Sequence, residues 1–235
     1  MNNVEKMHEA HEEFYIHSMA QEKEGIVNYK FFTEIRAKLS EMERENLALM
    51  KKAETDSLTG LGNRYGLNEY ADKAFDAAYA NQKSLAVEIL DVDNFKQYND
   101  TFGHQAGDTC LKTIAEIITE KCSSNDRIHA FRYGGDEFVI VYEDMTDEEV
   151  MWYASNIRMG IKERNLVAPS HEYGKLVTIS QGICNSIPVS TNKLWDYMYA
   201  ADNALYEVKE HRKGEIVMLH KALISQESLD EAKYS

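Results

Sequence analysis

The sequence predicts an α/β (α+β) fold, a sheet covered by helices and preceded by a long helix, and three features carry that expectation. Residues 1–55 hold one glycine and no proline, so nothing there interrupts a helix. From Asp56 onward, short apolar runs alternate with helix-length amphipathic stretches. Two of those runs flank Gly134-Gly135, a dipeptide suited to a tight hairpin with positive φ at both central residues, so hairpins are mixed with crossover helices.

Taking the elements in order, the later half of the first helix carries Phe32, Ile35, Leu39, Met42, Asn46, Leu49 and Ala53 at alternating spacings of three and four. That is an a/d heptad seam with Asn46 at an a position. A lone asparagine in such a seam fixes register and favours two-stranded pairing, so the seam predicts a homodimer through this helix. The bland alternative is an amphipathic helix packed on its own domain. Beyond it the pattern predicts a helix over 64–81, a strand over 84–90, a helix over 105–122, and strands over 130–133 and 138–142. A helix over 147–165, a strand over 176–184, a helix over 193–212 and a strand over 215–219 follow. The Tyr153, Ile157 and Ile161 stripe is expected in the core. The chain thus divides into a helical segment over 1–54, a domain over 55–219 and a tail over 220–235.

The 235 residues suffice for one well-cored domain with an appendage. A formal charge of −14 excludes a broad cationic surface for nucleic acid. It leaves room for a nucleotide pocket in which a divalent metal and a few lysines neutralise phosphates locally. No apolar run is long enough to cross a bilayer, and the first residues lack the basic and apolar stretches of a signal peptide, so the expectation is a cytoplasmic chain without a transmembrane segment. Cys110, Cys122 and Cys184 are odd in number and form no CxxC pair, which suggests neither a disulfide framework nor a zinc site.

Chemistry concentrates at two places. The apolar run Leu85–Leu90 leads into Asp91-Val92-Asp93, and the Gly134-Gly135 hairpin presents Asp136 and Glu137. If the first strand lies beside the hairpin, Asp91 and Asp136 converge, and their hard oxygens suit Mg²⁺ (or Mn²⁺). Each acid alone has a plainer role: Asp93 as a helix N-cap, Asp136 as a turn residue. His8, His11 and His17 on the first helix, with glutamates nearby, offer a weak metal-site reading, since helical metal sites usually draw partners from a second helix. Glu88 interrupts an apolar strand without an evident reason.

Five motifs then occur in order: Asp56-Ser57-Leu58-Thr59-Gly60-Leu61-Gly62-Asn63-Arg64, Asp91 to Asp100, Phe102-Gly103-His104-Gln105-Ala106-Gly107-Asp108, Phe131 to Phe138, and Ala201-Asp202-Asn203-Ala204-Leu205-Tyr206 with Lys209. At every one the chain resembles the GGDEF family of diguanylate cyclases. The resemblance implies a palm-like domain with a central, mainly antiparallel sheet flanked by helices. It implies a reaction in which the 3′-hydroxyl of one GTP attacks the α-phosphate of another, twice over, giving cyclic di-GMP in a dimer. By matching position, Asp91, Asp136 and the Val92 carbonyl hold the metal. Glu137 supports it or helps deprotonate the attacking hydroxyl. Asn99 and Asp108 read guanine, with Phe95 in the same substrate-binding set. Lys96, Lys209 and Lys213 contact phosphate, and the amides from Asn94 to Lys96 add an anion nest. A carboxylate at Asp108 accepts from guanine N1–H and its exocyclic amine, which favours GTP over ATP.

Two departures stand out. Arg212-Lys213 replaces the family's usual glycine-arginine pair, and a lysine there offers a point charge without the guanidinium fork. Asn125 and Ile128 stand where the family's product-inhibition motif has arginine and aspartate, so no inhibitory site is expected. The competing functions are a non-catalytic GTP-binding regulatory module and a scaffold that dimerises through its helix.

Overall fold

The computed structural model describes residues 3–168 and 176–220; the tail over 221–235 and the side chains of His8 and Phe32 lie outside the described residues. The chain divides into two compact units, Met1–Lys52 and Ala53–Ser235. The first is α-helical: α1 runs Asn3–Glu54, and Ile35, Leu39, Met42 and Leu49 along its seam are 41–64% exposed.

The second unit contains α2 (Arg64–Asn81), β1 (Leu85–Val92), α3 (Phe95–Phe102), α4 (His104–Cys122), β2 (Ile128–Gly134), β3 (Glu137–Glu143), α5 (Asp147–Glu163), β4 (Ile179–Ser186), α6 (Leu194–His211) and β5 (Ile216–Leu219). The sheet order is β2-β3-β1-β4-β5, antiparallel except for the parallel β4–β5 pair. Local signals start α2 and α5. Asn63 Oδ1 accepts from Gly66 N at the head of α2, and Thr146 and Glu149 form a reciprocal capping box on α5.

All eight residues of β1 are buried, because the strand is central and both faces of the sheet are covered. Ala86, Leu90 and Val92 pack in one core with α4 and α5; Leu85, Val87 and Ile89 pack in the other with α2 and α6. Ile157 and Ile161 are buried in the first core, with Tyr153 packed partly buried against it. The three cysteines are buried free thiols.

Glu88 is fully buried, and its reason is now visible. Tyr142 Oη donates to Glu88 Oε2 at 2.5 Å, and Gln181 Nε2 donates to Oε1 at 2.6 Å, so the carboxyl joins three adjacent strands, β3, β1 and β4. Burial raises its pKa, with those two hydrogen bonds opposing.

Three expectations need correction. Only Gly135 of the glycine pair has positive φ, at 53°, because a register shift between Arg132 and Gly134 takes up the twist before the turn. β4 starts at Ile179 rather than 176, since Leu176 pairs only as an isolated bridge with Val167. α5 stops at Glu163, and Asn165 beyond it adopts a left-handed φ of 52°.

Candidate active site

The register of β1 against β3 builds the acidic centre. Asp91 is the Cα partner of Glu137, and Val92 N donates to the Asp136 carbonyl at 3.3 Å. The strand end and the hairpin turn therefore present Asp91, Asp136 and Glu137 together, as the sequence required for convergence. Arg132 steadies the turn from below. Its Nε and Nη2 donate to Gly135 O at 3.0 and 2.7 Å, and Nη1 meets Asp56 at 3.2 Å. Asp56 in turn accepts from the Thr59 amide and hydroxyl, so the Asp56–Arg64 motif is a brace for the hairpin.

Lys209 reaches the same centre from α6, its Nζ 2.8 Å from Asp91 Oδ2. A close approach makes this reach possible: a Cβ on Gly182 in β4 would lie 2.2 Å from Ala201 O and 2.3 Å from Leu205 N, so α6 lies directly on the strand. Burial pushes Asp91 up to about 6; Lys209 opposes and the Asp136 and Glu137 carboxylates add to it. Glu137 is likewise raised by burial, with Lys209 opposing and Asp136 and Asp202 adding. Mutually repelling carboxylates at a strand end are a set that a divalent cation stabilises. Among the described residues no three His, Cys, Asp or Glu side chains are gathered to hold a metal unaided. Two carboxylates and a carbonyl nevertheless fit Mg²⁺, whose remaining positions go to water and substrate phosphate.

The second wall is α3 and α4. Asn94 is left-handed (φ 57°) and opens α3 without a side-chain cap. Phe95 is buried there, Lys96 is exposed, and Asn99 is half-buried one turn on. Asn99 Oδ1 is itself buried and has no hydrogen-bond partner. A Cβ on Gly107 of α4 would sit 1.9 Å from that oxygen, so glycine there is what lets the Asn99 amide occupy its position. Asp108 follows immediately and is exposed. A buried acceptor beside an exposed carboxylate suits a ligand edge rich in N–H donors.

Asp93 departs from its expected role. It caps no helix; Oδ1 accepts from Ser180 Oγ at 2.7 Å and Oδ2 from Thr178 Oγ1 at 2.6 Å. Lys213 Nζ lies 3.1 Å from Asn94 Oδ1, beside the start of α3. Thr178, Ser180 and Arg132 escaped the sequence reading. Their signal was a pair of hydroxyl residues two apart, at and just before the start of β4, and an arginine two residues before the hairpin.

The probable diguanylate cyclase DgcT of Escherichia coli K12 is 33% identical over 169 residues, covering 71% of this chain and 36% of the relative. Diguanylate cyclase DgcS of Shewanella oneidensis is 33% identical over 174 residues, 73% of this chain and 54% of the relative. The chain therefore spans about a third to a half of the length of these relatives. Among solved structures, the coiled coil and GGDEF domain of DgcB from Caulobacter crescentus, in complex with c-di-GMP, superposes with a TM-score of 0.69 at 26% identity, covering 80% of this chain and 97% of that one. Diguanylate cyclase SiaD of Pseudomonas aeruginosa, in complex with its activator SiaC, gives 0.65 at 26% identity, covering 92% and 85%. The family described as Diguanylate cyclase, GGDEF domain, matches residues 53–215, most of the chain, and the chain belongs to that family.

Proposed function

We propose that the chain is an active diguanylate cyclase, condensing two GTP molecules into cyclic di-GMP with release of two pyrophosphates. The observation that carries this reading is the β1–β3 register, which sets Asp91 opposite Glu137 and ties Val92 to Asp136. In this reading residues 55–219 are the catalytic domain and 1–54 the dimerisation segment.

Asn99 and Asp108 accept from the guanine edge, and Phe95 packs beneath it. Lys96, the amides at the head of α3, Lys209 and Lys213 hold the triphosphate. Bound by Asp91, Asp136 and the Val92 carbonyl, Mg²⁺ (or Mn²⁺) supplies neutralisation of phosphate charge. The 3′-hydroxyl of one GTP attacks the α-phosphate of the other, the bond to pyrophosphate breaks, and Glu137, already raised by burial, accepts the hydroxyl proton. Orientation supplies most of the remaining acceleration.

One site holds one GTP, whereas the product has two new phosphodiester bonds, so two domains must face each other. The exposed seam of Ile35, Leu39, Met42 and Leu49, with Asn46 among them, is the surface that a second copy covers. The test is to mix protein with GTP and Mg²⁺ and follow pyrophosphate and cyclic product across protein concentrations. Specific activity is expected to rise with concentration. GTP binding without turnover by a demonstrated dimer would overturn the catalytic reading in favour of a regulatory module.

A further inference from the structure

At the mouth of the site, a closed ring of contacts joins the end of β1 to the turn after α6. Asp93, the residue after β1, donates its amide to Thr178 O at 3.0 Å and takes hydroxyl hydrogen bonds from Thr178 and Ser180 on its carboxylate. Ser180 is fully buried, and its Oγ also accepts from Gly214 N at 3.2 Å. Gly214 follows Lys213, whose Nζ returns to Asn94, the neighbour of Asp93. The path Asp93, Ser180, Gly214, Lys213, Asn94 therefore begins and ends on adjacent residues.

Packing alone does not fix this turn. Behind it lies a cavity of about 430 Å³ lined in part by Arg158, Lys162, Thr178 and Gly214. Arg158 fastens the cavity side, its Nη1 on Gly214 O at 3.0 Å and on Glu215 at 2.9 Å. The Ser180 hydroxyl is a tie on the other side, alongside the backbone bonds Gln181 N to Glu215 O at 3.0 Å and Glu215 N to Arg212 O at 3.2 Å. Ser180 is also the Cα partner of Asp91 in the ladder, so the turn is referenced to the strand that carries the acidic centre.

We propose that Asp93 and Ser180 are positioning residues for the triphosphate: they hold the Lys213–Gly214 turn over the head of α3, and Asp93 is not a metal ligand. Both of its oxygens are already engaged by hydroxyl donors, whereas the Asp91 carboxylate meets the movable Lys209 ammonium. A lysine on a flexible stem needs this more than an arginine, whose fork is preorganised, because its contact depends on where the backbone places it. The proposal rests on the reading of this site as a GTP site.

The experiment uses the full chain with Ser180→Ala, Lys213→Ala and the double variant, measuring kcat, KM for GTP and Mg²⁺ half-saturation. Each single variant is expected to raise KM for GTP about tenfold, the loss of one charge-assisted contact, while kcat changes little. The double variant is expected to match Lys213→Ala alone, and Mg²⁺ half-saturation is expected to stay put in Ser180→Ala. Asp93→Asn, which keeps one acceptor, is expected to show a smaller rise in KM. Additive effects of Ser180→Ala and Lys213→Ala, a fall in kcat without a change in KM, or a shift in Mg²⁺ half-saturation for Asp93→Asn would overturn the proposal. If Ser180→Ala does not fold, the Asp93→Asn and Lys213→Ala pair gives the same cycle. If the wild type binds GTP without turnover, catalysis fails on its own, and calorimetric GTP affinities of the same variants still decide the positioning. Absence of GTP binding would overturn both.

Discussion

Replacing Glu88 by Gln removes one titrating proton from the middle of the sheet and leaves the shape intact. Glutamine can still accept from Gln181 Nε2 through its oxygen and donate to the Tyr142 hydroxyl, so both neighbours keep partners. Glu88 has its pKa raised by burial, while in the unfolded chain it titrates near the ordinary 4.5. The Tyr142 hydroxyl and the Cys122 thiol, the titratable groups that interact with it, are also raised by burial, so neither supplies a compensating charge. Between the two Glu88 values the folded protein holds the extra proton, so wild-type stability is full below the unfolded value and declines as pH rises toward the folded one. The slope for a single proton is about 1.4 kcal/mol per pH unit, or roughly 3–5 °C in Tm for a domain of this size. The assay is Tm from about pH 4 to about pH 8 for both proteins, plotted as a difference so that raised groups common to both, such as Asp91, cancel. Glu88→Gln should gain on the wild type as pH rises. Parallel curves, or a wild type that gains instead, would refute the assignment of a retained proton to Glu88.

Four further outcomes follow from the geometry. Gly107→Ala puts a Cβ onto Asn99 Oδ1 while favouring helix α4, so KM for GTP should rise about tenfold with little loss of Tm; an unchanged KM would remove Asn99 from the base site. Gly182→Ala meets backbone atoms of α6, which cannot rotate away, and should cost about 3 kcal/mol in urea unfolding; a cost below about 0.5 kcal/mol would contradict the close approach. Asp136→Asn should abolish pyrophosphate release yet keep calorimetric GTP binding through α3 and α4, and turnover within about tenfold of wild type would exclude a role at the reacting phosphate. Leu39→Asp places a charge in the exposed seam and should shift sedimentation toward monomer, with activity falling most at low protein concentration; an unshifted dimer would relocate the interface.

Much of this protein was already determined by local chemistry. Apolar runs of strand length, the capping residues Asn63 and Thr146, and the uninterrupted helix before Asp56 fix the order and type of the elements, because each signal acts within a few residues. The five motifs, once recognised, singled out Asp91, Asn99, Asp108, Asp136 and Lys209 by position. Which of these meet was decided elsewhere. Pairing is a long-range choice, and only the β1–β3 register turns two distant acids into one centre, while the same central placement explains Glu88 through partners 54 and 93 residues away in the chain. Asp93 shows the limit most clearly. Next to a helix start it reads as a cap, but tertiary structure supplies Thr178 and Ser180 as stronger donors, and the residue becomes a tie between strands instead. Hydroxyl donors arriving 85 and 87 residues later, at and just before the start of β4, leave no local trace, since side-chain partners are selected by the packed sheet.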